Sequence, residues 1–294
     1  MQAKFGYNST GMAENAVYVT KRSGETKLFS DEKVRDSLHR AGAEEAVIDE
    51  IMKEIHERLY PGISTRAIYR TAFNILKAKS RHVAARYNLK QGIFQLGPSG
   101  FPFEKYMAEL FINEGFQSSN NIIMQGHCVT HEVDVLATKG PRTLIVECKY
   151  HHAGGTFCDV KVPLYFHSRC DDIIRQQEGR SPDYEGWLVT NTRFSTDALQ
   201  YGNCAGLHLL SWDYPDNRGL KDIIDRTGLY PVTCLTTLTR EEKFRLLGKG
   251  YVLCNSLLLQ SPVLEEIDVG QGRRGAIRSE LEGLCKKVTA FKWV

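Results

Sequence analysis

At 294 residues, with 42% apolar and 25% charged side chains, the chain has the composition of an ordinary globular protein and enough length for two or three domains. No apolar run approaches the roughly 20 residues of a membrane-spanning helix, and the start, MQAKFGYNSTGMAENAVYV, lacks the apolar stretch of an export signal. A cytoplasmic protein without membrane contact is therefore expected.

The net charge of +3 is unevenly spread: 16 basic and 11 acidic side chains in residues 1–95, 9 and 14 in 96–214, 13 and 10 in 215–294. An acidic middle between basic flanks suits a cation held between surfaces that attract a polyanion, although variation between solvated faces accounts for the pattern equally well. The eight cysteines (128, 148, 158, 170, 204, 234, 254 and 285) form no CxxC pair. Several fall in apolar runs, so they read as buried thiols in a reducing compartment.

In chain order, VYVTK (17–21) and TKLF (26–29) alternate as strands around a turn at RSGE. Helical patterns follow at 30–42, 44–60, 64–79 and 82–91, the third opened by a Ser/Thr cap. GIFQLGPSGFP (92–102) reads as a linker. From 103 the pattern changes to an amphipathic helix (103–115), NIIMQG, a hairpin over 131–149, and then GWLVTNT, STDALQYGNCAG and LHLLSW. Those last three form a strand–helix–strand unit, which implies an α/β sheet. In the tail, Thr239 and Glu242 fit a capping box before residues 240–250.

HEVDVLATKGPRTLIVECKY (131–150) places charges inside two apolar strands. Glu147 and Lys149 share a face, and pairing 131–137 with 143–149 across TKGPR brings Asp134 toward the same edge. Two converging carboxylates in a partly dry site suit Mg²⁺, and a neighbouring lysine suits an attacking water or a strained phosphorus centre. A surface hairpin with a Glu–Lys pair on its wet face would look the same locally. Of the other acid-x-Lys matches, Asp159/Lys161 in FCDVKVPLYF competes most seriously.

GFPFEKYMAELFINEGF, HEVDVLA, LIVECKYH, WLVTNTRFSTDA and LHLLSWD resemble, in order and spacing, the catalytic domain of Mrr-like restriction endonucleases of the PD-(D/E)xK superfamily. That resemblance covers about residues 98–214. It implies that Asp134 and Glu147 hold Mg²⁺ or Mn²⁺, that Lys149 assists the water, and that Glu104 is the family's additional acid. Many such proteins have Gln where Glu147 stands. Glu104 also suits the first turn of a helix by charge alone. His151 and His152 read as loop or DNA-contact residues, Asn191 and Thr192 as turn formers.

VYVTKRSGETKLFSDEKVRDSLHRAGA, with Ala85 and Tyr87, resembles an ATP-cone, the nucleotide-binding regulatory domain of ribonucleotide reductases and their repressor. The resemblance implies that Val19, Lys21 and Arg22 line ATP or dATP and that Lys33 meets its phosphates. A basic hairpin that binds DNA is the simpler alternative. With no G-x-x-x-x-G-K-[ST] anywhere, nucleotide would be a signal and not fuel.

DVGQGRRGAIRSELEGL (268–284) contains GxGxxG at 270–275. It resembles a degenerate helix-hairpin-helix with Arg273, Arg274 and Arg278 on DNA phosphates; a glycine turn before a final helix competes.

Together these readings predict an α/β protein with a mixed PD-(D/E)xK-type sheet flanked by helices. Residues 1–92 form an ATP-cone (hairpin plus four-helix bundle), 98–214 the nuclease domain, and 215–294 a small helical module. The expected activity is metal-dependent DNA cleavage under ATP or dATP control, in restriction of foreign or modified DNA, by a homodimer or larger assembly. A non-catalytic nucleotide-responsive DNA-binding regulator and a repair or junction nuclease are the alternatives.

Overall fold

The computed structural model describes residues 17–21, 23–177, 183–259 and 262–285. It opens with an antiparallel hairpin, β1 (Tyr18–Thr20) and β2 (Thr26–Leu28), turning through Gly24 at φ 85°. Four helices follow: α1 (Asp31–Arg40), α2 (Glu45–Glu57), α3 (Thr65–Lys79) and α4 (Arg81–Tyr87). Ser30 and Ser64 cap α1 and α3 by accepting from Lys33 N and Ala67 N. Their apolar stripes close a core of Leu38, Ile48, Ile51, Ile55, Ala72 and Leu76, with Val19 contributed by the hairpin.

The predicted fourth helix is divided at Asn88, and α5 (Leu89–Ile93) leads into the expected linker. That segment does not run free. Ile93 and Leu96 are fully buried, and a Cβ at Gly92 would stand 2.5 Å from Cys234 Sγ. Only glycine lets these backbones approach so closely.

The central layer begins with α6 (Phe101–Asn113), then β3 (Gln117–Gln125), β4 (Thr130–Lys139), β5 (Arg142–Lys149) and the short β6 (Phe157–Cys158). α7 (Lys161–Gln176), β7 (Asp183–Thr190), β8 (Arg193–Phe194), α8 (Thr196–Cys204) and β9 (His208–Leu210) complete it. The main sheet has the order β3-β4-β5-β7-β9; its first three strands are antiparallel and its last three parallel. This mixed sheet contains the expected strand–helix–strand unit, β7-α8-β9. Asp159 lies just before α7 and Lys161 opens it, with Asp159 Oδ1 accepting from Lys161 N, so the two form no rival strand motif.

Beyond residue 215 come α9 (Leu220–Thr227), a 3-10 turn at Val232–Cys234, α10 (Arg240–Gly248), α11 (Cys254–Leu259), α12 (Val263–Glu266) and α13 (Gln271–Leu284). Thr239 and Glu242 make the predicted capping box. These helices do not stand apart. Their buried side chains share one core with α6 and with Val135, Leu144 and Val146 of the sheet, while α7 and α8 cover the opposite face. The same core takes in Ala85, Leu89 and Ile93, so the helical tail is wedged between the N-terminal bundle and the sheet. Arg86 donates to Gly283 O and Asn88 to Cys234 O across that seam.

Of the two readings of residues 268–284, helix-hairpin-helix and glycine turn before a final helix, the second is the one observed, with Gly270 at the start of α13. Gly272 and Gly275 lie inside α13 and form no turn. Arg273 is paired with Glu242, Arg274 with Glu265 and Arg278 with Glu282, so the three arginines are spent on neighbouring carboxylates. No helix among the described residues is long and apolar enough to cross a membrane. The eight cysteines are free thiols; Cys128 and Cys204 are exposed, against the expectation of burial.

Candidate functional site

Asp134 and Glu147 meet where two strands part. The β3–β4 register is continuous from Gln117–Thr138 to Gln125–Thr130 except at one step, Asn121 opposite Asp134. Asn121 there takes φ 51°, a left-handed conformation that asparagine tolerates better than most residues. The strand faces exchange across this step: Val135 and Ala137 pack on the α6 side, Val133 on the α7 side. The β4–β5 ladder ends at Val135–Val146, while β5 continues beside β7 to Lys149. Cys148 N, released from the β4 ladder, donates to Asp134 Oδ2 at 2.7 Å.

The fork gathers charge. Glu147 Oε2 accepts from Arg169 of α7 at 2.5 Å, and the same guanidinium reaches Glu132 O at 3.2 Å and lies over the Tyr165 ring. Asn121 Nδ2 bridges Glu104 Oε2 at 3.4 Å and Glu132 Oε1 at 3.2 Å. Burial raises the Asp134 carboxyl above its ordinary value, only partly offset by the Cys148 N–H. Burial, then the nearby Asp134 charge, raises Glu147. Glu104 is pushed up to about 7, by burial first and by Asp134 second. Lys149 is exposed and forms no ion pair among the described residues.

The four predicted residues therefore share one neighbourhood. Sequence reasoning missed Arg169, Asn121 and Glu132. Among the described residues, no group of three or more His, Cys, Asp or Glu is positioned to hold a metal. Nearby loops are tied down: Asn191, fully buried, accepts from His151 N and donates to His151 O, both at 2.8 Å. It is a clamp, beyond the turn former expected. Asp172 accepts from His131 Nε2 and from Cys128 N and Val129 N, and the His131 bond above all holds its carboxyl far below the usual range.

Glu104 predicts a pH dependence. Its proton is held more tightly in the folded than in the unfolded chain, so its contribution to stability is greatest below about 4.5 and declines as pH rises toward about 7. Thermal melts across that window are expected to show less decline for Glu104→Gln than for wild type; parallel curves would mean that the carboxyl is unperturbed.

A second feature lies in the N-terminal unit. A cavity of about 790 Å³ opens between the hairpin end and α3, lined by Lys21, Arg66 and Arg70 with no carboxylate among its lining residues. Neither arginine forms an ion pair among the described residues. Of the predicted nucleotide residues, Lys21 lines this cavity, Val19 is buried in the bundle core, and Lys33 is exposed on α1 outside the lining; Arg22 lies outside the described residues. Arg66 and Arg70 went unnoticed; the one available signal was Arg66 in the first turn of α3, where a cation opposes the macrodipole.

Comparison with known proteins bears on both features. Residues 17–89 match the family model of the ATP cone domain, and residues 230–285 match the model described as AF1548-like, C-terminal. An uncharacterized protein of Archaeoglobus fulgidus is 33% identical over 152 residues, covering 52% of this chain and 83% of that protein. The chain belongs to the AF1548-like family. A crystal structure of AF1548, a protein of unknown function, shares its fold with a TM-score of 0.53 at 28% identity, covering 64% of this chain and 98% of that one. In this AF1548-like protein the ATP cone and the matched tail lie on either side, in sequence, of the sheet that carries Asp134 and Glu147. The cone points to nucleotide-responsive regulation.

Proposed function

We propose that this AF1548-like protein is a metal-dependent DNA endonuclease of the Mrr-like, PD-(D/E)xK type, controlled by ATP or dATP bound in its cone. The observation that carries the reading is the convergence of Asp134, Glu147 and Lys149 at the β4–β5 fork, with Glu104 alongside. The donor set fits a hard divalent cation: the Asp134 charge raises the pKa of both Glu147 and Glu104, which marks a concentration of carboxylates whose one ion-pair partner among the described residues is Arg169, and Mg²⁺ keeps several waters and needs only one or two protein carboxylates. Asp134 and Glu147 would hold Mg²⁺ or Mn²⁺, which when bound stabilises charge on a phosphoryl oxygen and acidifies water.

This chain's own groups supply the rest. The Cys148 N–H fixes the Asp134 carboxylate, leaving its other oxygen free to act. Lys149, exposed and without an ion-pair partner, orients the attacking water and faces the developing charge on phosphorus. Glu104 and Asn121 close the wall beside Asp134. Cutting both DNA strands requires two such sites, which favours a homodimer, and restriction of foreign or modified DNA is the role that fits.

One observation favours the non-catalytic regulator instead: Arg169 fastens Glu147, as in a nuclease fold kept for docking. The experiment that separates the two is cleavage of supercoiled and methylated plasmid with Mg²⁺ or Mn²⁺, with and without ATP and dATP. Cutting that changes with nucleotide is the expected result. Nucleotide-sensitive DNA binding without cutting under any condition would replace the nuclease by the regulator.

A further inference from the structure

A second cavity, of about 590 Å³, lies between the hairpin of the cone and the loops that follow β5 and β7. Lys21, Lys90, Phe94, Phe157, Arg193 and Trp212 form its working surface. It is contiguous with the cone cavity, because Lys21, Thr65 and Gln91 line both. Its charge is unbalanced: three cations face one carboxylate, Glu25, which Lys21 already holds at 3.0 Å.

Lys90 is the most telling of these. Its ammonium sits 5.3 Å from the centre of the Trp212 ring and forms no ion pair among the described residues. The residue is exposed and lines the cavity. Loss of hydration lowers its pKa, and Arg193, Lys221 and Lys21 repel it further against the single attraction of Asp213. Arg193, held by Asp213 through Nε at 3.0 Å and a terminal nitrogen at 2.9 Å, extends from the sheet side. Lys21 and Arg193 each have one acid partner and Lys90 has none, so three cations converge on the cavity with room for an anion between them.

We propose that this cavity is a phosphate subsite, in which Arg193 and Lys90 take the terminal phosphates of a nucleoside triphosphate whose remainder lies in the cone cavity beside Lys21, Arg66 and Arg70. The ligand thus bridges the cone and the sheet. The inference rests on the cone as a nucleotide-binding element and adds residues from outside it. It also supplies a route for control. Ser23 of the hairpin packs against Gly155, where an added Cβ would stand 3.5 Å from Ser23 Cβ, and a Cβ at Gly154 would meet Phe94 at 3.7 Å. Gly154 and Gly155 belong to the loop leaving β5 just beyond Lys149, so a triphosphate that draws Arg193 toward Lys21 also fixes the position of that loop.

The test is isothermal titration of the full chain with ATP, dATP, ADP and AMP, and with a single-stranded oligonucleotide. Wild type, Arg193→Ala, Lys90→Ala and Lys21→Ala would be compared, each checked by thermal melting. Arg193→Ala and Lys90→Ala are expected to weaken ATP by about tenfold or more, as loss of a charge-assisted bond should, while AMP binding stays unchanged. Arg193→Lys should restore part of the loss. If both alanine variants bind ATP as wild type does while Lys21→Ala does not, the subsite is wrong and the cone reading stands. If wild type binds no nucleotide, the cone reading fails and takes this inference with it. If the oligonucleotide alone loses affinity, the cavity serves nucleic acid and the proposal is overturned.

Discussion

Alanine at Asp134 or at Glu147 is expected to slow plasmid cleavage by about a thousandfold or more, because several kcal/mol of metal-borne charge stabilisation is lost and each 1.4 kcal/mol is about tenfold in rate. Lys149→Ala should cost less, about a hundredfold, since the water can still approach without its guide. Each variant is to be checked by thermal melting: Lys149 is exposed, whereas Asp134→Ala removes the acceptor of Cys148 N and Glu147→Ala leaves Arg169 without its ion-pair partner, offsetting the repulsion that either change relieves. Arg169→Ala is the informative counterpart. It frees Glu147 from its 2.5 Å ion pair and should tighten Mn²⁺ binding, measured by titration without DNA. A wild-type protein that cuts plasmid, with Asp134→Ala and Glu147→Ala cutting equally well, would sink the site assignment. A wild type that neither cuts nor binds Mn²⁺ would leave the Arg169–Glu147 pair as a structural fixture.

The fork shows what a single sequence makes legible. Period-two alternation and the Gly-Pro turn were enough to place Asp134 opposite the Glu147–Lys149 edge, because strand pairing across a short turn is a local matter. Asn121 was not legible: its left-handed step depends on the skipped pair with Asp134, on another strand. Nor was α7, whose KVPLYF start reads as a strand continuation because Pro163 and the aromatic run hide the helical period until later. With α7 went Arg169 and Asp172, the two groups that fix Glu147 and the loop before β4.

The cone was legible for a different reason, since its hairpin and capped helices are short-range patterns, and residues 17–89 match an ATP cone. The tail was misread where contacts are distant. Arg273 finds Glu242 and Arg274 finds Glu265 only once α10, α12 and α13 pack together, so a run of arginines beside glycines looked like a phosphate grip. The same nonlocal packing explains why residues 215–285 form a mount between cone and sheet where a separate module was expected.

That mount depends on Glu280, and Glu280→Ala is expected to destabilise the protein by about 3 to 5 kcal/mol, the range for breaking a buried charged network from one side. Glu280 is 2% exposed and accepts four hydrogen bonds: from Thr236 N and Oγ, both at 2.7 Å, and from Thr237 N at 3.0 Å and Oγ at 2.5 Å. Alanine leaves all four donors without this acceptor. It also removes a negative charge near Lys243, whose ammonium burial already disfavours and which otherwise relies on Thr233 O at 2.8 Å. Glu280→Gln should cost less, because the amide keeps one acceptor oxygen but turns an NH₂ toward donors. The damage should travel along the seam, since α13 carries Gly283 O, the acceptor of Arg86 on α4. Hydrogen exchange in Glu280→Ala should therefore quicken in α13 and α4 together, with a lowered melting temperature. Quickening confined to α13 would mean that the cone is held to the sheet by α5 and the 3-10 turn alone, and an unchanged melting curve would mean that water replaces the carboxylate without cost.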